Sequence, residues 1–201
     1  MNNILNIVTP VSRYDFLEII YYSIKNTMKS KWIWYLVLDK SKLIDLPKIC
    51  WPECKILFSE NSEFGHDGGS AGRNIAIDNI HSGWISFLDD DTIMHPNFYN
   101  TFSKVNNFYP YALGFTVITC FSNNIPRIIP YPYGENQLDT SCFVFKREAI
   151  NDIRWHLSPR LNDVVFYNQV WENFAPYIIH MTDVAAYYNY LRPVNECMIN
   201  E

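Results

Sequence analysis

Three consecutive carboxylates, Asp89, Asp90 and Asp91, close the apolar run Trp84-Ile-Ser-Phe-Leu88 that follows Gly83. An aromatic and aliphatic run of this length predicts a buried strand, with the acids at its end. Adjacent like charges repel, so acids where a central strand emerges cost stability unless a cation or water screens them. On an extended backbone side chains alternate, which sends Asp89 and Asp91 to one side and Asp90 to the other. Two carboxylates facing one ligand suit Mg²⁺ or Mn²⁺, which take one or two protein carboxylates and complete their shell with phosphate oxygens and water. The favoured ligand is therefore a divalent cation carrying a diphosphate. A solvated acidic turn is the alternative.

A second polar stretch, Glu63-Phe-Gly-His-Asp-Gly-Gly-Ser-Ala-Gly72, precedes a helix expected over 73–80. Glycines let backbone approach a ligand closely, and helix N-termini favour anions, so this loop, Gly69 included, is a candidate phosphate neighbour. It fits neither a Walker loop nor the dinucleotide fingerprint. Arg73, at the helix start, is expected to pair with a nucleotide or with the acid cluster.

These residues need a scaffold, and the pattern around them supplies one. Strands are expected at 4–11, with Pro10 ending its pairing, then at 32–38, with Asp39 at its end, and at 54–58. A packing helix is expected over 14–29, and another from Pro96 to about Asn106, because proline suits a first helical turn. Further strands read at 111–120, 127–131 and 141–146, a helix starts over 146–153, and closing strands are expected at 177–180 and 184–190. Apolar positions from Val164 to Phe174 fit a helix with Asp163 at its N-terminus, where capping is one explanation of that acid. Strands alternating with helices argue for an α/β fold with a mostly parallel sheet, and ligands beyond the strand ends.

Composition agrees. With 201 residues, 48% of them hydrophobic, the chain suits one α/β domain with a sizeable core. A net charge of −5 with scattered Lys and Arg excludes the footprint of a duplex nucleic-acid binder. No apolar run approaches the roughly 20 residues of a membrane span, and no basic signal region opens the chain, so the expected location is cytoplasmic. The five cysteines include no pair at two-residue spacing and read as reduced thiols.

Thr9-Pro-Val-Ser-Arg13, Gly72-Arg-Asn-Ile-Ala-Ile77 and Trp84-Ile-Ser-Phe-Leu-Asp-Asp-Asp91, in this order and spacing, resemble the nucleotide-sugar-binding half of GT-A glycosyltransferases, especially family-two-like inverting enzymes. The resemblance covers about the first half of the chain. It implies a GT-A, Rossmann-like fold, a nucleotide-sugar-binding half over 1–107 and an acceptor-side half over 108–201. It places the Asp-X-Asp metal pair on Asp89 and Asp91, with Asp90 between them on the donor side and Mn²⁺ or Mg²⁺ as cofactor. Nucleoside contacts fall on Thr9, Pro10, Arg13 and Asp39, and further donor contacts on Arg73 and Asn74. The acceptor-side strand resembles 139–148. The acidic helix-start motif resembles Asn162-Asp163, one acid where the family has two, and makes Asp163 the base. His180 is a possible further metal ligand, although a core histidine fits an apolar strand better. Tyr and Trp residues around Trp155, Trp171 and Tyr187 would stack sugar or fill the core.

The implied activity is transfer of a hexosyl group from a nucleotide-diphosphate sugar, a UDP-sugar by preference, to a glycan hydroxyl. Two alternatives stand beside it: a sugar nucleotidyltransferase, which would need a basic glycine-rich loop near the first strand, and a non-catalytic carbohydrate- or protein-binding domain on the same fold. So short a chain leaves little room for an acceptor module, so additional domains or a partner enzyme remain open readings.

Overall fold

The computed structural model describes residues 4–40, 50–59, 69–105, 111–120, 126–129, 138–157, 162–188 and 191. Within them the chain runs β1 (Leu5–Val11), α1 (Leu17–Thr27), β2 (Trp32–Asp39), β3 (Cys54–Ser59), α2 (Ser70–Asn79), β4 (Trp84–Phe87), β5 (Ile93–Met94), α3 (Phe98–Val105), β6 (Ala112–Cys120), β7 (Pro126–Ile129), β8 (Phe143–Lys146), α4 (Asn162–Phe174) and β9 (Ile178–Tyr188). The strands form one mixed sheet in the order β3-β2-β1-β4-β8-β6-β9-β5, with β7 on β6. The β3-β2-β1-β4 side is parallel throughout. Most paired residues of the whole sheet lie in parallel ladders, and antiparallel β8 joins the two halves.

Alternation along the central strands divides the core between the two faces. Leu5, Ile7, Trp34, Leu36, Trp84 and Leu88 pack with Leu17, Ile20 and Ile24 of α1 and with Phe98 and Phe102 of α3. Val8, Tyr35, Val37, Ile85 and Phe87 pack with Ala76 and Ile77 of α2 and with Phe166 and Val170 of α4. Each fully buried side chain of this size contributes about 2 kcal/mol of transfer free energy. Helices thus cover both faces, and the strand ends are left to the loops.

Several elements depart from expectation. Pro10 does not end pairing: β1 stays in register with β2 through Val11↔Leu38. On the β4 side pairing stops at Val8↔Phe87, so the proline lies where one flank of the strand is already free. The helix expected over 146–153 is a single 3-10 turn, Arg147–Ile150. The two closing strands are one, β9, whose ladder to β6 shifts register twice between Gly114 and Ile118. That irregularity breaks the alternation by which one strand is read as one. Helix α3 begins two residues after Pro96, and the expected strand ending at 131 falls partly outside the described residues.

Candidate active site

The parallel strands put their carboxyl ends on one edge. Strand order reverses beside β1: the chain goes from β1 to β2 and β3 on one side, then returns to β4 on the other. Such a reversal opens a crevice beyond the strand ends. The ends of β1 and β4, which flank it, carry Ser12-Arg13 and the three acids.

The acids do not alternate as expected. β4 ends at Phe87, Leu88 N still donates to Val8 O at 2.9 Å, and then the chain turns, with Thr92 N donating to Asp89 O at 3.1 Å. The turn sends Asp89 to one cation and pairs Asp90 with Asp91 on another. Asp89 accepts from Arg73 Nη2 at 2.6 Å. Arg13 Nη1 donates to both Asp90 Oδ1, at 3.1 Å, and Asp91 Oδ2, at 2.8 Å. Asp91 is the most enclosed of the three, its side chain 1% exposed, against 27% for Asp89.

Asp90 is a fastener. Its Oδ2 accepts from Ser12 N at 2.6 Å, Ser12 Oγ at 2.8 Å and Arg13 N at 2.8 Å. Charge-assisted bonds of this kind tie the loop after β1 to the end of β4.

Arg73 enters from α2, whose start is set by Gly69. That glycine has φ of +83°, and a Cβ there would lie 3.1 Å from Pro10. Only glycine combines that backbone with that approach. Arg73 is buried and its guanidinium lies 4.7 Å from the centre of the Trp155 ring, which also stacks on the Phe166 ring at 4.3 Å and meets Phe87 edge-on at 5.2 Å. Burial works against its charge, yet Asp89, Asp163 and Asp139 raise its pKa.

Those carboxylates complete the site. Burial pushes the Asp163 carboxyl up to about 6; Arg73 opposes the rise and Asp89 adds to it. Asp163 lies in the first turn of α4. Asp139 is raised well above the carboxylate range by burial, then by Asp89 and Asp163, against hydrogen bonds from Ser141. It stands just before a 3-10 turn, where its Oδ1 accepts from Ser141 N at 2.9 Å. Asp139 had no role in the sequence reading. Its signal was an acid heading the apolar run 142–145 with a short polar cap, a local pattern indistinguishable from a turn.

The other expected residues have these surroundings. Thr9 is fully buried, and its Oγ1 accepts from Trp34 Nε1 at 2.9 Å. Asn74 clamps Trp155: its Nδ2 donates to Trp155 O at 2.9 Å and its Oδ1 accepts from Trp155 N at 2.8 Å. It therefore holds the ring beside Arg73. Asp39 is buried at the end of β2, and its charge, after burial, helps raise the Tyr14 hydroxyl. His180 lies on β9, 5.8 Å from the ring of Trp171, and burial lowers its pKa. Of the expected aromatic cluster, Trp155 is core, Trp171 lies against Tyr167 and His180, and Tyr187 packs on His95.

Among the described residues no group of three or more His, Cys, Asp and Glu is arranged to hold a metal. The donor chemistry nonetheless fits Mg²⁺ or Mn²⁺, because these ions need only one or two protein carboxylates when a diphosphate supplies the rest. Both carboxylates proposed as ligands already face positive charge, Asp91 from Arg13 and Asp89 from Arg73.

The architecture is that of a GT-A-like glycosyltransferase fold, with acids at its switch point. Among solved structures it is similar to S. aureus TarS 1-349, at TM-score 0.70 and 13% identity over 91% of this chain and 59% of that one. TarS 1-349 in complex with UDP-GlcNAc gives 0.69, again at 13% identity, over 91% of this chain and 57% of that one. The mannosyltransferase PcManGT from Pyrobaculum calidifontis, in complex with GDP-Man and Mn²⁺, gives 0.62 at 12% identity, over 90% and 55%. This chain thus spans less than two thirds of the length of these structures. No family model matches the sequence, and no curated protein does. No helix among the described residues is long and apolar enough to cross a membrane.

Proposed function

We propose that this chain is a metal-dependent glycosyltransferase that moves a hexosyl group from a nucleotide-diphosphate sugar, a UDP-sugar by preference, to a glycan hydroxyl with inversion at the anomeric carbon. The observation that carries the reading is the grouping of Asp89, Arg73, Asp139 and Asp163 beyond the ends of the parallel strands. The fold it stands on is shared with proteins captured with UDP-GlcNAc and with GDP-Man and Mn²⁺.

Asp91 and Asp89 are the carboxylates that would hold the Mg²⁺ or Mn²⁺, which when bound supplies charge neutralisation for a departing diphosphate. Arg73, kept charged by three carboxylates, adds fixed positive potential in a buried setting where such charge acts strongly. Asp163 takes the proton of the acceptor hydroxyl. With its carboxyl near 6 it is ionised at neutral pH and a stronger base than an ordinary carboxylate. Attack from the face opposite the diphosphate then inverts the anomeric centre. Asp39, beside Tyr14, and Pro10 serve the nucleoside end, and Gly69 lets α2 approach it.

A thermal-shift screen of nucleotide diphosphates and nucleotide sugars, with and without Mn²⁺, tests the reading. A ligand at about 100 times its Kd adds about 2.7 kcal/mol, a rise of roughly 5–10 °C for a chain of this size. The expected result is such a rise for UDP or a UDP-sugar that depends on Mn²⁺ and is lost in Asp91→Asn. No shift with any nucleotide under either condition overturns it.

A further inference from the structure

We propose that Arg13 is a built-in counter-cation that keeps Asp91 closed to metal, so that Arg13 and a divalent cation are mutually exclusive on Asp91 and a diphosphate exchanges one for the other. This rests on the metal-dependent reading above. Asp91 is almost fully enclosed and its Oδ2 receives Arg13 Nη1 at 2.8 Å, while the same nitrogen reaches Asp90. Two buried carboxylates without a cation are strongly unfavourable, so whatever leaves must be replaced by positive charge.

The geometry makes the exchange local. The Arg13 side chain is 31% exposed, whereas its backbone N–H is fixed to Asp90 Oδ2 at 2.8 Å and Ser12 is fixed there twice. Rotation of the side chain alone takes Arg13 off Asp91 Oδ2 while the loop stays in place and Asp91 Oδ1 keeps its bond from Thr92 Oγ1 at 3.3 Å. A guanidinium binds phosphate oxygens in the same forked manner as carboxylates, so a nucleoside diphosphate offers Arg13 an alternative partner as the metal takes its place. Metal and nucleotide then bind cooperatively, each strengthening the other by one factor.

Electron paramagnetic resonance of free Mn²⁺, titrated with the whole chain, reads this directly. In the wild type Mn²⁺ binds weakly alone and at least tenfold tighter with UDP. Arg13→Ala binds Mn²⁺ alone at least tenfold tighter than the wild type, with a smaller gain from UDP, and Arg13→Lys, which keeps the charge, stays near the wild type. A melting temperature lowered in Arg13→Ala and restored by Mn²⁺ is the second expected sign. If Arg13→Ala does not fold even with Mn²⁺, Arg13→Gln is judged by the same affinity criterion. Mn²⁺ binding that UDP strengthens in the wild type, with no gain in the folded charge-free variant, overturns the role of Arg13 alone. No Mn²⁺ binding by any of these proteins, with or without UDP, overturns the metal-dependent reading as well.

Discussion

Asp163 carries the sharpest residue-scale consequence, because its carboxyl titrates near 6 while an exposed aspartate titrates at 3.8. Between these values the folded chain holds a proton that the unfolded chain has lost. Its contribution to stability is therefore present below 3.8 and is lost as pH rises through about 6. At pH 7 the metal-free protein is destabilised by about 3 kcal/mol through this group. Asp163→Asn removes it, so in denaturant titrations the variant should gain on the wild type between pH 4 and 7. In assays the same variant should bind donor nearly normally and lose at least 100-fold in transfer, while wild-type transfer rises with pH through about 6. Full transfer by Asp163→Asn would remove it as base.

At the scale of elements, α2 is the part that aims the site. Gly69 sets its start against Pro10, and Gly69→Ala forces a Cβ into a backbone and a gap that refuse it. The expected cost is about 1–3 kcal/mol by chemical unfolding, with weakened nucleotide binding as Arg73 shifts from Asp89. Asn74→Ala leaves the N–H and C=O of Trp155 without their partners and should cost about 1–3 kcal/mol, whereas a surface Asn→Ala control should not.

The same elements show what the sequence could and could not reveal. β1, β2, β3, β4 and α2 were legible within a residue or two, except where α2 begins; the buried strands β1, β2 and β4 are continuous apolar runs bounded by polar turns, and the edge strand β3 shows a short apolar run although it is largely exposed. Arg73 and Asp89 stood out by type and position, and Asp163 through the family resemblance, its position alone reading as a helix cap. The destinations of Asp90, Asn74 and Thr9 were not, since a polar side chain satisfied by distant backbone or by a buried indole leaves no local mark. Asp139 was missed for the same reason: its neighbours in space, Asp89 and Asp163, lie far off in sequence.

For the molecule as a whole, one sheet serves two cores, one on each face, and the central strands contribute to both. Neither face holds without the other, so thermal unfolding should be a single transition by near-UV and far-UV circular dichroism; two separated transitions would show that the faces melt independently. The sandwich of Arg73, Trp155 and Phe166 gives that body something more. An indole pressed against the site's own cation emits light whose colour and yield follow that cation's position. The protein therefore carries a native optical gauge, and donor occupancy should be readable from its ultraviolet emission without any attached dye.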